Sequence, residues 1–373
     1  MELKIGVQEL ARALGRSQGI VEKKTTMPIL SHVLLEARKG GKLHVSATDL
    51  DVSISAEHDC EVLREGAVAV SARHLYDIVR SLPEATATLK RAQNNYLEVA
   101  SGPAEFRIVG LPAEDFPALP RFDKVKFQPV SPQDLLAMIG LTAFAVSTDE
   151  TRYNLNGVLF EPAGGELRMV ATDGHRLSLA RRPAAVDYGL KKGVILPKKG
   201  LAELKKLLEE TLEGGEEAPE VKLGFVESSA VVARPKVTLV MRLIEGVFPD
   251  YKQVIPKQGE KSVKLGRLRF LETLRRISLL SSDKAHAVKL DLSPGVLKVL
   301  SQNPDLGEAK EEVPVEYQGE PLRIGFNARY LIDVLQALGA NDVILELADD
   351  LSPGVLKPDG DEGFTAVVMP MRI

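Results

Sequence analysis
Three α+β domains of one topology, each pairing helices with antiparallel strands, are the architecture this 373-residue sequence predicts. The first observation is a strand-like run that recurs, at Leu43–Asp49, Leu167–Asp173 and Leu297–Asn303. Two copies close on the same dipeptide, Thr48-Asp49 and Thr172-Asp173; the third closes on Gln302-Asn303. The spacing, roughly 124–130 residues, is the size of a small domain and too long for a solenoid unit. The second observation is a short helix after a strand, aligned on Leu75, Leu201 and Leu331, with an acid two residues on (Asp77, Glu203, Asp333). The third is a late strand. Phe106–Leu111 matches Thr238–Leu243, both run on to Phe-Pro (Phe116-Pro117, Phe248-Pro249), and Phe364–Met369 fills the same slot at the chain end.

Each copy opens with a strand and a helix. In the first, Leu3-Lys4-Ile5 precedes an apolar stripe of Leu10, Ala13 and Leu14 at helical spacing, extended by Ile20-Val21. In the second, Phe127 starts a strand, Ser131 is placed to cap a helix with Pro132 at its first position, and Leu135, Leu136 and Ile139 follow. In the third, Val263-Lys264-Leu265 leads to Phe270, Leu271, Leu274 and Ile277. Alternating strands come next, such as Val33–Ala37 and Gly157–Glu161, with Gly40-Gly41 and Gly164-Gly165 at matching hairpin turns. The second helix and further strands complete each copy. Breaks rich in proline, lysine and polar residues set expected domains at 1–121, 126–254 and 257–373.

Composition excludes several classes. The start of the chain is amphipathic rather than a secretory signal, and no apolar run reaches the roughly eighteen residues of a membrane span. Cys60 is the single cysteine, so no internal disulfide or cysteine metal cluster is expected, and a reducing, cytoplasmic compartment is the simple reading. The six histidines show no recurring metal-ligand spacing. Asp173-Gly174-His175-Arg176 could hold a general acid or base, but no nucleophile motif or phosphate-binding glycine loop accompanies it. The sequence therefore predicts no catalysis and no cofactor.

The formal charge is −4, yet the predicted helices are basic, carrying among others Arg12, Arg16, Arg73, Arg80, Lys205, Lys206, Arg267 and Arg276. A head-to-tail array of repeats either closes into a ring or runs on as a filament. If it closes with helices inward, the hole is positive, suited to a phosphate backbone contacted without reading sequence. Tryptophan is absent and other aromatics are few, which disfavours stacking on single strands. A repeat scaffold that binds peptides without DNA fits the same residues.

Ala171-Thr172-Asp173-Gly174-His175-Arg176-Leu177, together with the terminus Val368-Met369-Pro370-Met371-Arg372-Ile373, resembles the bacterial sliding-clamp family, the beta subunits of replicative DNA polymerase III. Thr26–Leu30, Leu111–Pro117, Arg152–Gly157, Phe248–Tyr251 and Gly325–Asn327 carry the likeness along the whole chain. The resemblance implies a head-to-tail homodimer of three-domain chains. Helices line the inner face, antiparallel sheets form the outside, and the ring slides on double-stranded DNA as a processivity factor. It implies docking of the replicative polymerase alpha subunit, the clamp loader, other polymerases and repair proteins through short clamp-binding peptides.

The resemblance also assigns residues. The peptide pocket takes Leu155, Thr172, Gly174, His175, Arg176, Leu177, Pro249 and Val254, with Val367, Met369, Pro370, Met371 and Arg372 from the chain end. Its leucines, valines, proline and methionines suit an apolar slot for a partner's leucine or phenylalanine, and Arg176 and Arg372 suit its polar end. Gln253 departs from a frequent arginine, and Asn154 from a tyrosine or proline. DNA contacts fall to Lys24, Arg73, Arg80, Arg152, Tyr153, Lys198 and Lys199. The seam between chains falls to His74, Ile78 and Phe106 of the first domain against Leu279 and Leu280 of the third, with strands paired edge to edge and Glu308, Glu311 and Glu312 on its rim.

Overall fold
The computed structural model describes residues 1–22, 26–120, 124–184, 186–213, 215, 219–256, 259, 261–281 and 286–372. The first third of the chain runs β1 (Glu2–Gly6), α1 (Val7–Ser17), β2 (His32–Arg38), β3 (Lys42–Thr48), β4 (Val52–Asp59), β5 (Glu61–Arg64), β6 (Gly66–Ser71), α2 (Ala72–Ser81), β7 (Thr86–Arg91), β8 (Leu97–Ser101), β9 (Ala104–Ile108) and β10 (Gly110–Leu111). The middle third has β11 (Gln128–Val130), α3 (Pro132–Thr142), β12 (Gly157–Ala163), β13 (Glu166–Thr172), β14 (Arg176–Pro183), β15 (Val194–Pro197), α4 (Lys198–Leu212), β16 (Val221–Val226), β17 (Ser229–Arg234) and β18 (Val237–Arg242). The last third has β19 (Lys261–Gly266), α5 (Arg267–Ser278), β20 (Ala287–Ser293), β21 (Val296–Asn303), β22 (Gly307–Pro314), β23 (Leu322–Asn327), α6 (Ala328–Ala337), β24 (Asp342–Leu347), β25 (Gly354–Pro358) and β26 (Phe364–Val368). The strand–helix–strands order appears twice in every third, as the repeat predicts. Among the described residues no helix is long and apolar enough to cross a membrane.

Sheets run across the expected breaks. A nine-stranded sheet, β10-β6-β2-β3-β4-β18-β17-β16-β11, joins strands of the first and middle thirds through the β4–β18 ladder. An eight-stranded sheet, β15-β12-β13-β14-β26-β25-β24-β19, joins the middle and last thirds through β14–β26. A five-stranded sheet, β5-β1-β7-β8-β9, and a four-stranded one, β22-β21-β20-β23, complete the set. Main-chain bonding of this kind leaves no seam for contacts to thin out. The chain accordingly divides into two compact units: Met1–Pro132 with Asp187–Gly189 and Lys199–Leu243, and Gln133–Val186 with Leu190–Lys198 and Ile244–Ile373.

Local chemistry explains the elements. Leu10, Ala13 and Leu14 of α1 are buried, and replacing such a leucine by alanine costs about 2–5 kcal/mol. Gly40-Gly41 and Gly164-Gly165 all have positive φ, the conformation a tight hairpin requires and only glycine adopts freely. Ile20 is buried beyond the end of α1 rather than on it. One alignment shifts. The tight hairpins Ser101–Ala104 and Arg234–Val237 match, so Phe106 stands where Leu239 does, not Thr238. Val109, left unpaired between β9 and β10, restores the later Phe-Pro spacing.

Two ion clusters sit within the first unit. Glu210 of α4 accepts from Arg16 of α1 (Nε to Oε2 2.9 Å) and lies 2.9 Å from Arg234 Nη2 of β17. Burial would raise the Glu210 carboxyl, but the Arg16 bond and both arginine charges hold it below the usual range. His58 of β4 is buried, its Nδ1 2.6 Å from Glu9 Oε1 on α1, and burial pushes its pKa down against that bond.

Candidate binding pocket
The repeated Thr-Asp turn builds one wall of a pocket in the second unit. Thr172 Oγ1 accepts the Gly174 N–H (3.1 Å) and donates to the Arg176 carbonyl (2.6 Å). Asp173 Oδ1 accepts the N–H groups of His175 (2.9 Å) and Arg176 (3.0 Å). Gly174 sits at φ +90°, and a Cβ there would lie 2.7 Å from Arg152 Nη1. Short polar side chains that bond their own backbone are how such turns are specified.

Arg176 leaves this turn and becomes the centre of a network. Its Nε donates to Asp173 Oδ2 (3.1 Å), Nη1 to Asp333 Oδ2 on α6 (2.6 Å), and Nη2 to the Phe144 carbonyl (2.7 Å). The guanidinium carbon lies 4.6 Å from the Tyr330 ring centroid and 5.4 Å from that of Phe144. Three of its five N–H groups are thus engaged inside the protein, and the side chain braces the wall.

The cavity holds about 150 Å³ and is lined by Leu155, Thr172, Gly174, Arg176, Leu177, Pro249, Tyr251, Val254, Val367 and Met369. Leu155 ends a 3-10 turn (Glu150–Leu155), and Val367 and Met369 come from β26 and the residue after it. The Met369 N–H donates to the His175 carbonyl (2.9 Å), which carries the β14–β26 ladder past the strand end. Behind the wall, Leu159, Val170, Leu177, Leu179, Tyr251 and Val367 form a buried cluster with Phe248 and Ile255 packed on it. The volume is below the roughly 300–1,000 Å³ of a drug-sized site and suits one or two apolar side chains. Val254 and Met369, both lining it, are exposed.

Nine of the thirteen expected residues thus meet in one cavity. His175, Pro370, Met371 and Arg372 do not line it. The His175 ring lies parallel to that of Tyr330, 6.4 Å away. The Met371 N–H donates to the Gly325 carbonyl of β23 (2.8 Å), and Met371 and Arg372 line a separate cavity of about 490 Å³ with Lys289, Arg323 and Leu351. Tyr251 was not assigned from sequence, although Phe248–Tyr251 was noted. Its hydroxyl donates to Glu161 Oε2 (2.7 Å), and burial together with that carboxylate pushes its pKa up to about 12. Of the two departures, Gln253 donates to Asp250 Oδ2 (3.0 Å) and Asn154 to the Val247 carbonyl (2.9 Å). Among the described residues no group of histidine, cysteine, aspartate or glutamate could hold a metal ion.

Family profiles of the DNA polymerase III beta subunit match in order along the chain: the N-terminal domain at 1–120, the central domain at 129–250 and the C-terminal domain at 252–372. The beta sliding clamp of Caulobacter vibrioides is 38% identical and that of Pseudomonas aeruginosa 37%, each aligned over the whole of both chains. A crystal structure of a DnaN sliding clamp from Pseudomonas aeruginosa bound to griselimycin superposes with TM-score 0.92 at 36% identity, covering all of both chains. That of the Bacillus subtilis DNA polymerase sliding clamp superposes at 0.93 with 27% identity. The chain belongs to the beta sliding clamp family, the processivity subunits of DNA polymerase III.

The residues a clamp would turn toward DNA are placed unevenly. Arg73, Arg80 and Lys198 are exposed; Arg73 pairs loosely with Asp77 (3.9 Å) and Arg80 lies over the Tyr76 ring (5.5 Å). Tyr153 is 59% exposed. Arg152 is exposed but bonded to Asp149 (2.9 Å). Lys199 is partly exposed, its ammonium on the Asp49 carboxylate and on the Ile20 carbonyl (2.9 Å). Lys24 lies outside the described residues. Other helix cations also serve the fold: Arg267 donates to the Ala340 (2.6 Å) and Leu335 (2.9 Å) carbonyls, and Arg276 to Glu311. At the expected seam, Phe106 is exposed on edge strand β9, His74 is exposed and Ile78 half-buried on α2, and Leu279 is 77% exposed with Leu280 half-buried after α5.

Proposed function
We propose that two copies of this chain close head to tail into a ring that surrounds duplex DNA without reading its sequence and tethers the replicative polymerase. One observation carries the reading. Among the described residues there are three strands of the β4 kind (β4, β14, β22) and three of the late-strand kind (β9, β18, β26). Two couples are already joined inside the chain, β4 with β18 and β14 with β26. β22 and β9 are the members left over, and each is a sheet edge. A head-to-tail array with one complementary couple left must continue into another copy. Leu279, Leu280, Phe106, His74 and Ile78 supply the apolar part of that joint.

Arg73, Arg80, Lys198 and Tyr153 are the side chains best placed to meet phosphates, and Lys199, partly exposed, also pairs with Asp49. The pocket takes the apolar residues of peptides from the polymerase alpha subunit, the clamp loader and repair proteins, and Met369 and Val254 form its mouth. The ring acts by raising the polymerase's effective concentration at the primer end, with no chemistry of its own. The test is topological. Loaded protein should stay on circular DNA and leave once the circle is cut. The double substitution Leu279→Lys, Leu280→Lys should give monomers that no longer stay on circles yet still bind peptide. Retention of such monomers on circles overturns the reading.

A further inference from the structure
Resting on that ring reading, we infer the register of the seam between chains: Phe106 of one chain faces the partner's Ala309, Glu105 faces the partner's Lys310, and Arg107 faces the partner's Glu308. The argument uses the two joints the chain already contains. In β4, Ile54 and Ala56 are buried, and His58 reaches Glu9 on α1. The β18 residues that face them, Leu239 opposite Ile54 and Val237 opposite Ala56, are buried too. Helix-facing residues therefore meet helix-facing residues across a joint.

The same side can be read on the two open edges. Phe106 lies opposite Val99 and Ile108 opposite Leu97, both fully buried, and opposed residues of an antiparallel pair share a face. On β22, Glu311 accepts from Thr273 (2.8 Å) and Arg276 (2.9 Å) of α5, so Glu311, Ala309 and Gly307 share the helix side. Face matching admits four registers, with Phe106 opposite Gly307, Ala309, Glu311 or Val313.

Two independent arguments choose Ala309. Hairpin matching puts Phe106 in the place of Leu239. Leu43 pairs His58 as Leu297 pairs Val313, which puts Ala309 in the place of Ile54. Since Leu239 faces Ile54, Phe106 faces Ala309. Charge agrees. In this register both exposed couples are opposite in sign, and a large ring faces a small side chain. A shift one way sets Glu105 against Glu308; a shift the other way sets Glu105 against Glu312, Arg107 against Lys310 and Phe106 against a carboxylate, and a longer one, to Val313, leaves Glu105 opposite Pro314 with no charge partner. Like charges directly opposed destabilise a strand pair. The exposed pairs add little attraction, so they act chiefly by excluding the wrong registers.

Cysteine pairs test the register in a Cys60→Ser background. Under mild oxidation Glu105→Cys with Lys310→Cys should give a covalent dimer, because a disulfide forms only at short Cβ separation. Glu105→Cys paired with Glu308→Cys or Glu312→Cys should not. Arg107→Glu should weaken the dimer several-fold, and adding Glu308→Arg should restore it. Covalent dimer from the 308 or 312 pair, with native mass still dimeric, overturns the register and leaves the ring standing. Monomer alone for the unmodified chain at every concentration overturns ring closure itself.

Discussion

The turn after β3 and the turn after β13 are the same object put to different uses. In both, a threonine hydroxyl accepts the N–H two residues on (Leu50 3.0 Å, Gly174 3.1 Å), and an aspartate accepts the next two N–H groups. In both, the next strand pairs with a strand from the following third of the chain, and a last bond runs to the turn: Arg242 N–H to Asp51 O, Met369 N–H to His175 O. The left-handed position is Leu50 in one and Gly174 in the other. The first turn locks its joint with Lys199 on Asp49; the second uses Arg176 on Asp173 and Asp333. Where the second has Tyr251 bonded to Glu161, the first has Leu119 near Glu36, and the space there is a wider polar cavity of about 440 Å³. A shared backbone frame thus leaves the side chains of one joint free to line an apolar pocket.

The sharpest break in this comparison is Arg176→Ala. Its side chain is 11% exposed and pairs with two carboxylates, so removal should cost about 3 kcal/mol, as for other buried pairs that lose one member. A shift of the denaturation midpoint measures it, and peptide affinity should fall with the wall; an unchanged midpoint contradicts the bracing role. Next is Gly174→Ala. Positive φ costs a non-glycine residue about 1–2 kcal/mol, and the new methyl meets Arg152, so both stability and peptide binding should drop. The mirror change, Leu50→Gly, should stabilise by under ~1 kcal/mol, since relief of the left-handed backbone is partly offset by greater freedom of the unfolded chain. Urea titration of the two variants side by side tests whether the turns are interchangeable.

The smallest expected effect is one of pH. Tyr251 titrates near 12 when folded, above its ordinary value of 10, so its contribution to stability is full below pH 10 and is lost as pH rises from 10 to 12. Tyr251→Phe should make the thermal midpoint fall less steeply over that window. Some slope should remain, because burial also raises Tyr188 and Tyr330. An identical slope in the variant denies Tyr251 that role.

Much of the frame was legible from residues alone. Thr-Asp dipeptides, paired glycines and apolar stripes are local signals, and they marked the turns, hairpins and helices. Partners distant in sequence were not legible. Lys199 reads as a free helix cation until Asp49 and Ile20 are seen beside it, and Arg16 until Glu210 and Arg234 are. Tyr251 reads as a core aromatic because nothing local says that its hydroxyl reaches Glu161. The one-residue slip at Phe106 was hidden by Val109, an unpaired residue that only the ladders reveal. The pocket's apolar members were legible through resemblance, while the locked state of Arg176 required its partners in three dimensions.

β26 follows β14 at long range along the chain, and it is the neighbour that β14 needs. During synthesis β14 emerges early and waits, its Leu177 and Leu179 beside an unfilled edge, until β26 has been made. Long-range pairing of this kind forms late, and open apolar edges invite the wrong neighbour meanwhile. A chain that lacks β26 would therefore expose both the pocket wall and an unpaired strand at once.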